Sequence, residues 1–275
     1  MEFLPPLAEL VPFLIGLLIA GTVAGILAGL FGIGGGAVLV PVFYQMLGSL
    51  GVDEAIRMHL SVGTSLAIIV PTSLRSFMAH KAKGTVDEVL LKAFSIVVPL
   101  GVICAAILAA WLSSGALRLI FAVISVLVAF KLLFAKESWR LGGDLPIGFP
   151  RHAIGWVIGF LSTFMGIGGG VLNNTFMSLF GRPIHQAVAT SAGVGVLISI
   201  PGMLGYIWAG WGASGLPPFS IGYVNLLMVA VIIPITLLVA PIGVKFAHAL
   251  SKRHLEIAFG IFLLFVAARF IATLL

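Results

Sequence analysis

The sequence predicts an all-α polytopic membrane protein of two inverted repeats, each a glycine-bent re-entrant helical hairpin followed by three transmembrane helices. Three observations predict it: apolar composition along the whole chain, a glycine motif that occurs twice, and the placement of the basic residues. Of 275 residues, 60% are hydrophobic and 9% charged, and the mean hydropathy is +1.22. A soluble domain carries about 25% charged residues. Apolar blocks fall at 10–31, 35–48, 57–79, 88–112 and 116–135, and again at 152–165, 169–181, 184–210, 220–247 and 254–275. Many of these suffice to cross about 30 Å of hydrocarbon. The first run, from Val11 to Leu30, follows Glu2 and Glu9 rather than a basic segment, so no cleaved signal peptide is expected.

The more polar stretch 136–151 divides the chain. We read 1–135 as the first repeat, 136–151 as a cytoplasmic linker and 152–275 as the second repeat. The motif GIGGG stands at Gly32–Gly36 and again at Gly166–Gly170. "HLSVGTS" at His59–Ser65 answers "HQAVATS" at His185–Ser191, and "VPLG" at Val98–Gly101 answers "APIG" at Ala240–Gly243. Lys131 and Arg269 correspond in the last helix of each half. The order of the matches is the same in both halves, as a duplication requires.

Charge placement decides between topologies. Basic clusters lie at Lys81, Lys83 and Lys92, from Lys131 to Arg151, and at Lys245, Lys252 and Arg253. They fall on one side only if each glycine-split pair of blocks enters and leaves the membrane by the same face, and basic loops prefer the cytoplasm. One hairpin plus three crossings is an odd number, so the second half is inverted relative to the first. Such repeats, with broken helices meeting at the midplane, are a recurrent transporter design. The plain alternative is an eight-helix bundle whose glycines serve only close packing. On the hairpin reading, positions 85 and 250 face the cytoplasm and 51 and 214 the other side.

The glycine breaks imply chemistry. Irregular backbone at membrane depth must be buried in protein or line a cavity. The short helix after each break aims its free N–H groups and partial positive charge at that cavity, which favours an anion. The nine acids, Glu2, Glu9, Asp53, Glu54, Asp87, Glu88, Glu137, Asp144 and Glu256, all lie at a terminus or beside a loop. Intramembrane carboxylates mark cation and proton paths, so their absence also points to an anion. The expected binding groups are backbone N–H at Gly34, Gly35 and Gly36 and at Gly168, Gly169 and Gly170, with the hydroxyls of Thr64, Ser65, Thr190 and Ser191. Asn173 and Asn174 align with Leu39 and Val40, so two amides break the symmetry where substrate choice would be made. His59 and His185 could shuttle a proton or pair with the anion, or else cap helices. Arg75 reads as a snorkelling side chain, and Arg57 and Arg182 as interfacial charges.

Other classes find little support. Fifteen Lys and Arg give a net charge of +6, but they are concentrated in short connections, so nucleic acid is not an expected partner. The one cysteine, Cys104, allows neither an intrachain disulfide nor a Cys-based metal site. No HExxH, GxSxG or P-loop motif is present, so no enzyme, metal, cofactor or ATP coupling is expected.

The stretches "GLFGIGGGAVLVP" at Gly29–Pro41, "HLSVGTSLAIIVPTS" at His59–Ser73, "FMGIGGGV" at Phe164–Val171 and "ATS" at Ala189–Ser191 resemble the TauE/SafE family of sulfite and organosulfonate exporters. The resemblance covers nearly the whole chain. It implies a bacterial inner-membrane secondary transporter, an exporter of small sulfur-containing anions such as sulfite or sulfoacetate. One departure is that Thr175 stands where the first motif has Pro41. An anion channel of the same architecture and a non-transporting membrane subunit remain alternatives. The expected partners are the anion and the bilayer, with a homodimer compatible with both.

Overall fold

The computed structural model describes residues 7–31, 36–134, 140–249 and 252–274. Helices dominate, as backbone groups in hydrocarbon must be satisfied within their own segment. In chain order they are α1 (Leu7–Phe31), α2 (Gly36–Ser49), α3 (Glu54–Ala82), α4 (Glu88–Trp111), α5 (Ser114–Phe134), α6 (Phe149–Met165), α7 (Gly170–Leu179), α8 (Ile184–Ala209), α9 (Leu226–Ala249) and α10 (Lys252–Ala272). Two short strands, β1 (Ser220–Ile221) and β2 (Val224–Asn225), pair antiparallel before α9. The apolar block starting at 220 therefore begins as a hairpin and becomes helical only at Leu226.

Local signals place the helix starts. Asp53 and Asp87 cap α3 and α4, each accepting a backbone N–H at 2.9 Å, from Ala55 and Leu90. Glu54 and Glu88 then lie in the first turn, where negative charge suits the helix dipole. Among the described residues, α3, α4, α5, α8 and α10 are long and apolar enough to cross a membrane. By contrast α7, with 10 residues, spans about 15 Å and α2, with 14, about 21 Å, both short of the hydrocarbon thickness.

The two short helices are arms of hairpins. The Leu141 N–H, ahead of α6, donates to the Leu179 carbonyl at the end of α7 (2.8 Å). Asp144 and Arg182 pair at 3.7 Å across the same junction. The chain therefore enters through α6 and returns through α7 to the side it left. In the first half, Gly16 of α1 packs against Met46 of α2, so these helices also fold back on each other. The tip of that first hairpin, including Gly34 and Gly35, lies outside the described residues.

Helix pairing has a regular form. The main partners are α1 with α9, α4 with α6, α3 with α8 and α5 with α10. Exchanging each helix for the one five places along leaves this set of pairs unchanged. The contacts of α3 with α8 run in opposite order: Gly63 meets Tyr206, Leu66 meets Gly202, Ser73 meets Gly195 and Phe77 meets Gly193. The α5–α10 pair is also antiparallel, with Gly115 near Leu274 and Leu133 near Gly260. Glycines make the tight parallel contacts. Gly21 and Gly25 of α1 face Ile232 and Thr236 of α9, and Gly155 and Gly159 of α6 face Phe94 and Val98 of α4. Both are small-xxx-small faces, which let membrane helices approach closely.

Candidate functional site

The second hairpin tip is built by two left-handed glycines. Gly166 ends α6 at φ 60°, and its N–H and that of Ile167 close back on the carbonyls of Thr163 (3.2 Å) and Ser162 (3.1 Å). Gly169 starts α7 at φ 71°. A side chain is strained at both positions. No side chain caps α7, so its first N–H groups keep their donor capacity and the positive end of its dipole.

This tip is wedged at mid-length between the two longest spanning helices. Gly166 lies against Val40 and Val62, Gly168 against Ile69 and Gly195, and Gly169 against Val194 and Ile198. The Ser65 hydroxyl donates to the Gly166 carbonyl at 2.8 Å. The first turn of α2 reaches the same point, and a Cβ on Gly36 would run into the Gly166 carbonyl and Ile167 Cα. Each half thus sends the start of its short helix to one buried junction. Ser73 borders Gly168 and Gly195, and Ser162 Oγ borders Gly169. Ser162 is fully buried and its Oγ lacks a hydrogen-bond partner. A buried hydroxyl without a partner is costly, and this one stands beside an uncapped helix start.

The expected residues divide into groups. Gly36, Ser65, Gly168, Gly169 and Gly170 are brought together at the junction. Asn173, Asn174 and Ser191 form a separate short chain. Asn173 Nδ2 donates to Ser191 Oγ and Ser191 Oγ to Asn174 Oδ1, both at 2.7 Å. Asn173 Oδ1 is buried without a partner. Thr64 and Thr190 turn elsewhere, accepting backbone N–H groups from Asn225 (3.0 Å) and Asp87 (2.9 Å). The two histidines differ. His59 is buried and its Nε2 contacts the carbonyls of Ala109 (3.0 Å) and Leu112 (3.1 Å) at the end of α4, whereas His185 is exposed.

Charges stay away from the junction. Among the described residues, the acids are Glu9, Asp53, Glu54, Asp87, Glu88, Asp144 and Glu256, all in connections or near helix starts. Arg75 is exposed on α3, and Arg57 donates to the Val52 carbonyl at 2.8 Å. Arg118 was not evident from sequence: it is 5% exposed, paired with Glu54 and bonded to Thr273 Oγ1 at 3.0 Å. Ser73, Ser162 and Gly195 also carry no sequence signal of their own. The glycine faces of α1 and α6 do, because Gly21 and Gly25 recur at Gly155 and Gly159 with the 134-residue offset of GIGGG. Among the described residues no group of three or more His, Cys, Asp or Glu could hold a metal ion.

Apolar helices long enough to cross a bilayer, with two short helices that start at one buried junction, mark a multi-pass membrane protein. The chain belongs to the sulfite exporter TauE/SafE family, whose profile matches residues 17–270. It is 32% identical over 255 residues to a probable membrane transporter protein of Haemophilus influenzae, covering 93% of this chain and 97% of that one. A probable membrane transporter protein of Methanocaldococcus jannaschii is 28% identical over 243 residues, covering 88% and 89%. A third relative, the probable membrane transporter protein YunE of Bacillus subtilis, is 28% identical over 216 residues, covering 70% and 78%. No solved structure matches the chain significantly.

Proposed function

We propose that this protein is a secondary transporter, working as an exporter in the inner (plasma) membrane, of small sulfur-containing anions such as sulfite, sulfoacetate or related sulfonates. The observation that carries this reading is the junction itself. The uncapped start of α7, the first turn of α2, Ser65 and the unpartnered Ser162 hydroxyl meet at one buried point, with no described carboxylate near it. Such a site can hold a compact oxyanion by neutral donors and a helix dipole. The family description, sulfite exporter, supports the sulfur chemistry.

In this proposal residues 1–135 and 152–275 are inverted repeats joined by a cytoplasmic linker. The antiparallel pairing of α3 with α8 and of α5 with α10 supports it, because counterpart helices of inverted repeats run in opposite directions. Rocking of the halves would expose the junction to each face in turn. The Asn173–Ser191–Asn174 chain, one turn from the tip, would set substrate preference, and no cofactor is needed.

The test is uptake into proteoliposomes of sulfite, sulfoacetate, taurine, thiosulfate and carboxylate analogues. Saturable uptake of a sulfur oxyanion, with exchange against internal anion, is expected. Ohmic, non-saturable current would make the protein a channel, and a stronger response to carboxylates would overturn the substrate class.

A further inference from the structure

Thr64 and Thr190 occupy the same place in the two matched motifs, and both side chains are fully buried. Each hydroxyl oxygen accepts one backbone N–H from the opposite half of the chain. Thr190 of α8 takes the N–H of Asp87, whose carboxylate caps α4. Thr64 of α3 takes the N–H of Asn225, whose Oδ1 caps the start of α9 by accepting from Met228 (3.0 Å). Because α3 and α8 run in opposite directions, the two bonds sit on opposite sides of the buried junction. One closes onto the 83–87 connection, the other onto the 210–225 connection.

We infer that Thr64 and Thr190 are paired gate latches, one toward each face, and that the transport cycle opens them one at a time. The inference rests on the transporter reading above. A hydroxyl-to-amide bond suits this work, because it is neutral, weak and replaceable by water once a face opens. Moving a helix start away from its latch separates the halves at that end only, while the other latch still holds.

The latches are unequal. On the 210–225 side the chain is pressed in as a wedge. The Tyr223 N–H donates to the Tyr206 carbonyl at 3.1 Å, and the Tyr223 ring lies against His59 with centroids 4.8 Å apart. Gly63 and Gly210 both pack directly on the Tyr223 backbone. On the 83–87 side Thr190 has fewer aids, chiefly Phe77 and Leu91 against Gly193. The junction therefore opens more readily toward the 83–87 connection. His59 acquires a role that its exposed counterpart His185 lacks: it braces the tighter gate.

The experiment places a reporter thiol at the junction and reads its accessibility from each face. Cys104 is exposed on α4, so Cys104→Ala gives a cysteine-free background. Ser162→Cys adds the reporter at the junction, and anion uptake is measured in the same latch variants with Ser162 retained. A membrane-impermeant maleimide is applied to the intact protein in oriented vesicles. Thr190→Val is expected to raise labelling from the 83–87 face by about fivefold, the effect of losing one neutral hydrogen bond. Thr64→Val is expected to raise labelling from the other face by about twofold, and more when combined with Tyr223→Ala. Thr190→Ser and Thr64→Ser keep the hydroxyl and should restore the parent rates, which a packing defect would not allow. Equal labelling from both faces in each valine variant, or changes that serine does not rescue, would overturn the latches. Unchanged sidedness with intact anion uptake would sink the latches alone. Opposite shifts in sidedness without uptake of any sulfur anion would keep the latches and sink the substrate assignment.

Discussion

The α3–α8 seam and the α5–α10 seam are both antiparallel pairs of counterpart helices, yet they are held by different chemistry. Arginines fasten the α5–α10 seam at both ends. Arg118 reaches from the start of α5 to Glu54 and Thr273, and Arg253 at the start of α10 donates to the carbonyls of Leu132 (2.8 Å) and Leu133. Between them Phe121 and Phe270 meet edge to face at 5.3 Å. The α3–α8 seam is closed by glycines, and its neutral hydroxyls bond outward to the hairpin tip and to the two connections. Gly63, Gly193, Gly195 and Gly202 bring the helices together, and Ser65, Thr64 and Thr190 make single bonds to backbone. Hydrogen bonds to charged groups contribute about 1.5–3 kcal/mol, neutral ones about 0.5–1.5. On the latch reading this is a division of labour: α5–α10 is the fixed seam, and α3–α8 with the second hairpin tip and the start of α2 is the part that rearranges.

The largest effect should come from Gly36→Val. Its Cβ would strike the Gly166 carbonyl and Ile167 Cα, both backbone atoms that cannot rotate away. Transport should be lost and the purified protein should melt earlier, with stability lower by about 3 kcal/mol, the upper end of the usual cost of overpacking. Retained activity would mean the two hairpins do not meet as described. Next, Arg118→Met should cost about 1–3 kcal/mol by loss of its charged bonds, read as a lower melting temperature. Because the fixed seam does not gate, the sidedness of thiol labelling should stay unchanged, and a change would erase the distinction between the seams.

A smaller effect is expected for Asn173→Leu. It removes the bond to Ser191 while Asn174 still accepts from that hydroxyl, so stability should fall by only about 1 kcal/mol. The ranking of sulfonates in competition uptake should change more than the maximal rate. An unchanged ranking would confine the asparagines to packing. Smallest of all, Cys104→Ala on the exposed face of α4 should alter melting by less than about 0.5 kcal/mol.

The helices and hairpins were legible because hydrophobic pattern and glycine spacing are local properties of the chain. GIGGG, the short block at 169–181 and the basic clusters together predict a folded-back pair, and the Leu141–Leu179 bond and the Asp144–Arg182 pair close it. Hydroxyl partners were not legible. Nothing in HLSVGTS or HQAVATS distinguishes a serine that grips a hairpin tip from a threonine that grips a helix start, because the difference lies in packing across 101 residues or more. The same limit hid Arg118, whose partner Thr273 is 155 residues away. His59 is enclosed by the end of α4 and by Tyr223 of the inward-folded 210–225 connection, whereas His185 is exposed, so a matched motif did not imply a matched environment.

Anion binding where the second hairpin tip meets the start of α2 is tested most directly by substrate protection of the Ser162→Cys thiol. Sulfoacetate should slow maleimide labelling at that thiol in a saturable manner, while leaving a thiol at exposed His185 unaffected. Labelling that sulfoacetate slows equally at both positions, or at neither, while saturable uptake of the same anion is seen both with Ser162 intact and in the Ser162→Cys protein, would place the binding site elsewhere.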